Sequence, residues 1–457
     1  MSTRQDGARA EPISSRDELV AWFEAGCKPP SDFRIGTEHE KFGFRSRDLS
    51  PVPYDGPQGI RALLERLIDR FGWQPIREGE AIIALQRPGE GTVSLEPGGQ
   101  LELSGAPLAT LHDTAAETRR HLDEVRAVGD ELGLGFLGLG FSPLWSRSET
   151  PRMPKGRYDI MTRYMPRVGK LGLDMMYRSA TVQVNLDFSS EADMVRKLRV
   201  SLALQPVAAA LAANSPFTEG RRNGYKTFRS AVWLDTDAGR TGMLPFAFEP
   251  GMGFERYVDY VLDVPMYFVF RDRRYIDVAG SSFRDFLAGK LDALPGERPD
   301  IADWADHVST AFPEVRMKRF LEMRGADGGG ERRIIEVPAF WVGLLYDDGA
   351  LDAAAALVAD WTEAERQAIR QAVPKLALAA PFRRGTVGTI ARQAVAIARE
   401  GLRRRARIDS AGRDEGHYLD HLEGIAATGR TEADRLIERF DGPWRGDVRK
   451  VFDEAAI

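Results

Sequence analysis

Two glutamates one residue apart in a stretch that reads as a strand, Ile35-Gly36-Thr37-Glu38-His39-Glu40-Lys41-Phe42-Gly43-Phe44, constrain this chain more than any other feature. Side chains two apart on a strand leave the same face, so Glu38 and Glu40 point together. Neighbouring carboxylates repel unless a cation sits between them or one stays protonated, and a divalent metal is the simplest remedy. A surface strand could instead carry both acids into solvent, and the rest of the chain has to decide between the two. His39 points to the opposite face and reads as packing.

At 457 residues the chain can bury a large core. Its 43% hydrophobic and 29% charged residues are those of a soluble globular protein, and a net charge of -5 argues against general nucleic-acid binding. Cys27 is the only cysteine, which excludes an intrachain disulfide and an all-cysteine metal site. Met1 to Glu11 is polar, and no apolar run reaches membrane-spanning length, so the expectation is a soluble cytoplasmic protein with no membrane partner. One catalytic domain is expected over residues 1–457, with a sheet-based core from about 30 to 346 and a mostly helical part from 350 to 457 packed on it.

Periodicity orders the rest. Ser15 and Glu18 have capping-box spacing ahead of a first helix, Ile60 to Phe71 is amphipathic, and a long helix spans about 109–132. Ala81 to Leu85 and Thr92 to Glu96 read as a hairpin, after which Gln100, Glu102 and Ser104 share a strand face. Gly133 to Phe141 reads as a strand that comes close to its neighbours. From Pro151 to Arg178, basic residues lie among tyrosines and methionines, a composition that leaves an irregular solvated segment open.

Thr181 to Phe188 alternates strictly, with Thr181, Gln183, Asn185 and Asp187 on one face, as a polar cavity wall would. Ser190 and Asp193 cap a helix through about 213, kinked at Pro206, and Val264 to Phe270 reads as a buried strand. If Phe320 to Arg324 is a strand, Glu322 and Arg324 share a face, placing an acid for metal beside a base for phosphate.

Phosphate-binding loop, dinucleotide and nucleophile-elbow motifs are all missing, and the six histidines are scattered singly. Carboxylates without histidine or thiolate partners favour magnesium, and magnesium among arginines points to phosphoryl chemistry.

Glu38-His39-Glu40-Lys41-Phe42, the stretch Ser94 to Gly105 (SLEPGGQLELSG), Thr181 to Phe188, Leu321 to Gly329 (LEMRGADGG) and Pro338 to Tyr346 (PAFWVGLLY) together resemble the glutamate–cysteine ligase family of plants and proteobacteria, in order and over nearly the whole chain. The resemblance implies an α+β, glutamine-synthetase-like fold: a curved antiparallel sheet funnel with helices outside and acids inside. It also implies the ATP-dependent joining of L-glutamate to L-cysteine, the first step of glutathione synthesis, through an acyl phosphate. Glu38, Glu40, Glu96, Glu102 and Glu322 would hold Mg2+, with Glu38, Glu40 and Arg324 at the reacting atoms. Arg157, Gln183, Arg229 and Tyr267 would hold the amino acids, and Arg319 with Arg324 the ATP phosphates.

Another Mg-ATP carboxylate–amine ligase or a guanidino kinase of the same fold, and further off a non-catalytic nucleotide-binding protein, stay open as alternatives. With one cysteine, the expected regulation is feedback by glutathione in the substrate pocket, and the expected assembly is a monomer or homodimer. Glu38→Gln removes a charge and little volume, so it is expected to abolish ligation with an unchanged far-ultraviolet circular dichroism spectrum; normal turnover would refute the role of Glu38.

Overall fold

The alternating stretches around Glu38 and Gln183 become the centre of one antiparallel sheet. The computed structural model describes residues 11–457, so all of the polar N-terminal stretch except Glu11 lies outside the described residues. The strands of the sheet are β1 (Ile35–Arg45), β2 (Gln74–Glu78), β3 (Ala81–Gln86), β4 (Thr92–Leu95), β5 (Leu101–Ser104), β6 (Leu134–Leu137), β7 (Thr181–Leu186), β8 (Val315–Met317) and β9 (Leu321–Asp327). They lie in the order β8-β9-β7-β1-β5-β4-β3-β2, with β6 pairing the far end of β1. Every neighbouring pair is antiparallel.

One face of this sheet is apolar and covered by helices. Val182, Val184 and Leu186 of β7 are buried in a core shared with α6 (Glu191–Leu211) and α7 (Glu331–Leu345), while α1 (Arg16–Glu24), α2 (Ile60–Phe71) and α3 (Leu111–Leu132) complete the first half. Local chemistry sets the helix ends. The Glu18 carboxylate accepts from the Ser14 and Ser15 N–H groups at 2.9 and 3.2 Å, and Thr110 and Asp113 cap α3 reciprocally. α2 and α3 stop at Gly72 and Gly133, both with positive φ. Pro206 lies inside α6 without ending it. From Asp348 onward the chain forms α8 (Asp348–Val358), α9 (Glu363–Leu376) and α10 (Val387–Arg405); all three pack on α6, and α8 and α10 pack on α7 as well. Among the described residues no helix is long and apolar enough to cross a membrane.

Several expectations are corrected. Residues 151–178 are not irregular: they form α4 (Gly156–Tyr164) and α5 (Gly172–Arg178), with Arg157 and Arg178 buried. The buried strand expected from Val264 is confined to Phe268–Arg271, because Pro265 has no N–H for a ladder and Met266 donates instead to the Ser281 carbonyl. The Gly133 to Phe141 strand ends at Leu137. Beyond it Gly138 and Gly140 pass so close to Gly329 and Asp327 that a Cβ would lie 2.5 and 2.3 Å from their atoms. β2, whose residues are mostly polar or half-buried, was not foreseen.

α7 and α10 cross through Gly343 and Gly401: a Cβ on Gly401 would sit 1.9 Å from the Gly343 carbonyl oxygen. Glycine in a helix interior ordinarily costs about 0.5–1 kcal/mol relative to alanine. Here the sign should invert, with Gly401→Ala destabilising by about 1–3 kcal/mol through overpacking. Gly424→Ala, at an exposed helical position with nothing within 4 Å of the new methyl, should stabilise by about 0.5–1 kcal/mol. Urea denaturation of the two variants checks the opposed signs.

Candidate active site

Sheet register assembles the polar face. Glu40 on β1 stands directly opposite Glu102 on β5, and Glu102 in turn opposite Ser94 on β4. Glu96 follows β4 at the turn into β5, where its N–H donates to the Gln100 carbonyl. One carboxylate oxygen from each of Glu40, Glu96 and Glu102 can be chosen so that all lie within 4.8 Å of one another. Glu96 and Glu102 are buried and Glu40 is half-buried. The Thr181 N–H donates to Glu40 at 3.1 Å, the Ser104 hydroxyl donates to Glu102, and Glu96 Oε1 has no hydrogen-bond partner. Burial first, and then the charge of Glu102, pushes the Glu96 pKa up to about 7. Glu40 is driven well above the carboxylate range by burial and then by Glu96 and Glu102. Two acids that resist ionisation, one of them with an orphaned oxygen, beside an ionised Glu102 make a donor set suited to a hard divalent cation.

The other side of the cavity is basic. Arg229, Arg316 and Arg324 line it together with the acids. The Arg324 guanidinium donates to Gln183 Oε1 at 2.6 Å and to Glu322. Arg229 Nη2 donates to the Arg324 carbonyl at 2.9 Å, while Arg229 Nε is buried without a partner. Asp327 holds the segment before Arg229, accepting from the Asn214 N–H and the Ser215 and Thr227 hydroxyls at 2.7–2.8 Å. Methionines 161, 175 and 176 supply the apolar wall, contributed by α4 and α5. Gln100 ties that wall to the sheet, donating to the Met176 and Ser179 carbonyls.

Of the residues singled out in the sequence, the structure brings Glu38, Glu40, Glu96, Glu102, Gln183, Arg229 and Arg324 to this cavity. Glu38 stands apart from the trio, held by the amides of Asn185 at 2.9 Å and Gln183 at 3.4 Å. Glu322 is fully buried and forked by Arg316 at 2.8–3.0 Å, with Lys318 at 2.9 Å, so its carboxylate faces cations rather than the acid trio. Arg157 lies on the Glu96 side, buried, with Nε and Nη2 unpartnered.

Two placements do not follow the expectation. Arg319 sits in the β8–β9 turn, which packs on the end of α1; its Nε donates to the Trp22 carbonyl, away from the cavity. Tyr267 is buried beneath Arg240, whose guanidinium lies 3.8 Å from the ring centroid, and its hydroxyl reaches Met165 Sδ at 3.5 Å, so it does not line the cavity. His39 faces α3 across from His121, as the strand period requires.

Sequence reasoning missed Arg316, Trp233, Phe312 and Lys155. Lys155 donates to the Leu95 carbonyl at 2.8 Å, and burial and then Arg157 hold it down to about 8. Only Arg316 left a signal, since it lies on the same strand pair as Glu322 and opposite it.

An antiparallel sheet with metal-suited acids facing arginines across one cavity defines a candidate phosphoryl-transfer enzyme. Residues 34–454 match the model of glutamate-cysteine ligase family 2 (GCS2), and the chain belongs to that family. It is 55% identical over 452 residues, 99% of this chain and 84% of the relative, to the chloroplastic glutamate–cysteine ligase of Arabidopsis thaliana. To that of Brassica juncea it is 54% identical, over 99% of this chain and 86% of the relative. A crystal structure of glutamate–cysteine ligase from Francisella tularensis in complex with AMP shares the fold, with a TM-score of 0.50 and 10% identity over 92% of this chain and 88% of that one. Because the plant relatives are named chloroplastic, the cytoplasmic expectation is withdrawn.

The raised carboxylates fix a pH dependence. A carboxyl whose folded pKa exceeds its unfolded value stabilises the fold below the unfolded pKa and loses that contribution as pH rises through the folded one. Without divalent cation, the protein should therefore lose up to roughly 3 kcal/mol of stability between about pH 5 and about pH 8. Glu96→Gln should flatten this slope, and Mg2+ should restore stability mainly at the alkaline end. Denaturant titrations with and without chelator read all three.

Proposed function

We propose that this chain joins the side-chain carboxylate of L-glutamate to the amine of L-cysteine at the expense of ATP, giving γ-glutamylcysteine, the first product of glutathione synthesis. What carries the reading is the cavity in which the acid trio faces Arg229, Arg316 and Arg324. Membership of the ligase family supports it, and the AMP bound to the Francisella tularensis enzyme supports a nucleotide in the same fold.

Direct attack of an amine on a carboxylate would have to expel oxide. In the proposed sequence a glutamate side-chain oxygen attacks the γ-phosphorus of ATP and ADP leaves. The cysteine nitrogen then attacks the acyl carbon, phosphate departs with the former carboxylate oxygen, and the amine loses its proton to solvent. Mg2+, held by Glu40, Glu96 and Glu102 with Glu38 and Glu322 at the margins, would supply charge neutralisation for the phosphates. Arg324, aimed by Gln183, and Arg229, tied to the Arg324 carbonyl, would bind the transferring phosphoryl group and the substrate carboxylate. The methionine wall excludes water from the acyl phosphate.

Phosphate release from Mg-ATP is measured with L-glutamate, with and without L-cysteine, and the product is read by mass spectrometry. γ-Glutamylcysteine formed only with both amino acids is expected. Robust phosphate release with another amine, and no such dipeptide, would move the activity to a different ligase of this fold.

A further inference from the structure

A second built cavity lies away from the acids. A groove of about 840 Å³ runs along one side of α6, past Ala192, Val195 and Arg199, and is closed opposite by the end of α8 and the start of α9. Arg366, in the first turn of α9, lines it and is 7% exposed. The guanidinium rests 3.6 Å from the ring centroid of Phe248 and makes one hydrogen bond, to the Trp361 carbonyl. Five N–H donors are therefore served by one acceptor. Among the described residues no carboxylate forms an ion pair with it: Glu365 is taken by Arg383 and the Thr362 N–H, and Glu363 is exposed and acts only at longer range. The guanidinium nitrogens that lack a protein partner are not sealed from solvent, so they are open to the groove that Arg366 lines and can accept an anionic partner there.

We propose that this groove binds a small organic anion, with its carboxylate on the free edge of Arg366 and its apolar body against Val195, Met252 and Val358. The planar guanidinium fork matches a carboxylate, Val195, Met252 and Val358 offer an apolar wall beside it, and Arg196 and Arg199 line the same groove against Glu191 and Glu363, leaving an excess of positive charge for an anion. None of the acids or arginines of the catalytic cavity takes part, so the site stands whether or not the ligase reading does.

The test uses the full chain, with benzoate and hexanoate as anionic probes and benzamide as the neutral counterpart, in saturation-transfer NMR at about 10 mM. Benzoate or hexanoate should bind, and benzamide should bind about tenfold more weakly or not at all. Arg366→Met should abolish binding. Ala192→Phe narrows the groove without touching Arg366, and it should abolish binding with melting temperature and ligase turnover unchanged; it carries the test if Arg366→Met fails to fold. Equal binding of benzoate and benzamide, no binding of either acid, or binding that survives Ala192→Phe would overturn the site. Dimerisation lost in Ala192→Phe, without probe binding, would overturn it in favour of a second copy of the chain.

Discussion

Glu40 and Glu102 oppose each other across β1 and β5, and the inner face of the sheet is arranged around that pairing. Like charges directly opposite on neighbouring strands destabilise a sheet, and burial makes the repulsion worse. The chain adds Glu96 to the pair rather than relieving it. Hydrogen bonds from Thr181 and Ser104 orient the carboxylates, and burial with mutual repulsion makes Glu40 and Glu96 resist the ionisation that would put three charges together. A polypeptide tolerates such a cluster when a bound cation completes it, and the apolar core on the other face supplies the stability that the polar face gives up.

The same ladder separates charge along the cavity. Moving from β5 through β1 and β7 to β9, the facing pairs run from Glu40 with Glu102, through Glu38 with Gln183, to Asn185 with Glu322. Acids dominate one end, amides occupy the middle, and arginines close the other. At the basic end the register between β9 and β7 shifts between Met323 and Ala326. Gly325 sits in this bulge where Gln205 of α6 leaves no room for a Cβ, which would meet the amide nitrogen at 2.2 Å. A bulge re-aims its side chains, and here it accompanies the turn of Arg324 towards Gln183.

This arrangement explains what could be read from the chain beforehand. Period-two alternation put Glu38, Glu40, Thr181 and Gln183 on the cavity face, because a strand with one buried face has little freedom of register, while Asp187 lies beyond the end of β7 and pairs with Lys28 instead. Capping chemistry located α1 and α6 for an equally local reason. Grouping the acids was beyond that logic. Whether Glu38 or Glu96 joins Glu40 and Glu102 depends on the turn at Pro97 and on amides reaching across from β7. Arg319 and Tyr267 were displaced by features of the same kind, a turn packed against α1 and a proline that interrupts a strand. The helices of residues 151–178 escaped notice because their buried arginines and methionines give no clear amphipathic stripe.

Glu322 shows how one buried carboxylate can organise the basic end of the cavity. Arg316 spends Nε and Nη2 on Glu322, but its Nη1 donates separately to the Ser309 and Ala311 carbonyls. Those backbone bonds anchor the guanidinium independently of the acid. Removing one partner of a buried pair costs about 3–5 kcal/mol because the other is stranded, and turning Glu322 away would leave Arg316 Nε and Nη2 without their acceptor. Lys318 and Arg324 flank the same carboxylate. With Arg316, Lys318 and Arg324 all around the one Glu322 carboxylate, the basic end keeps an excess of positive charge for an anionic ligand without dismantling the strand pair that carries it.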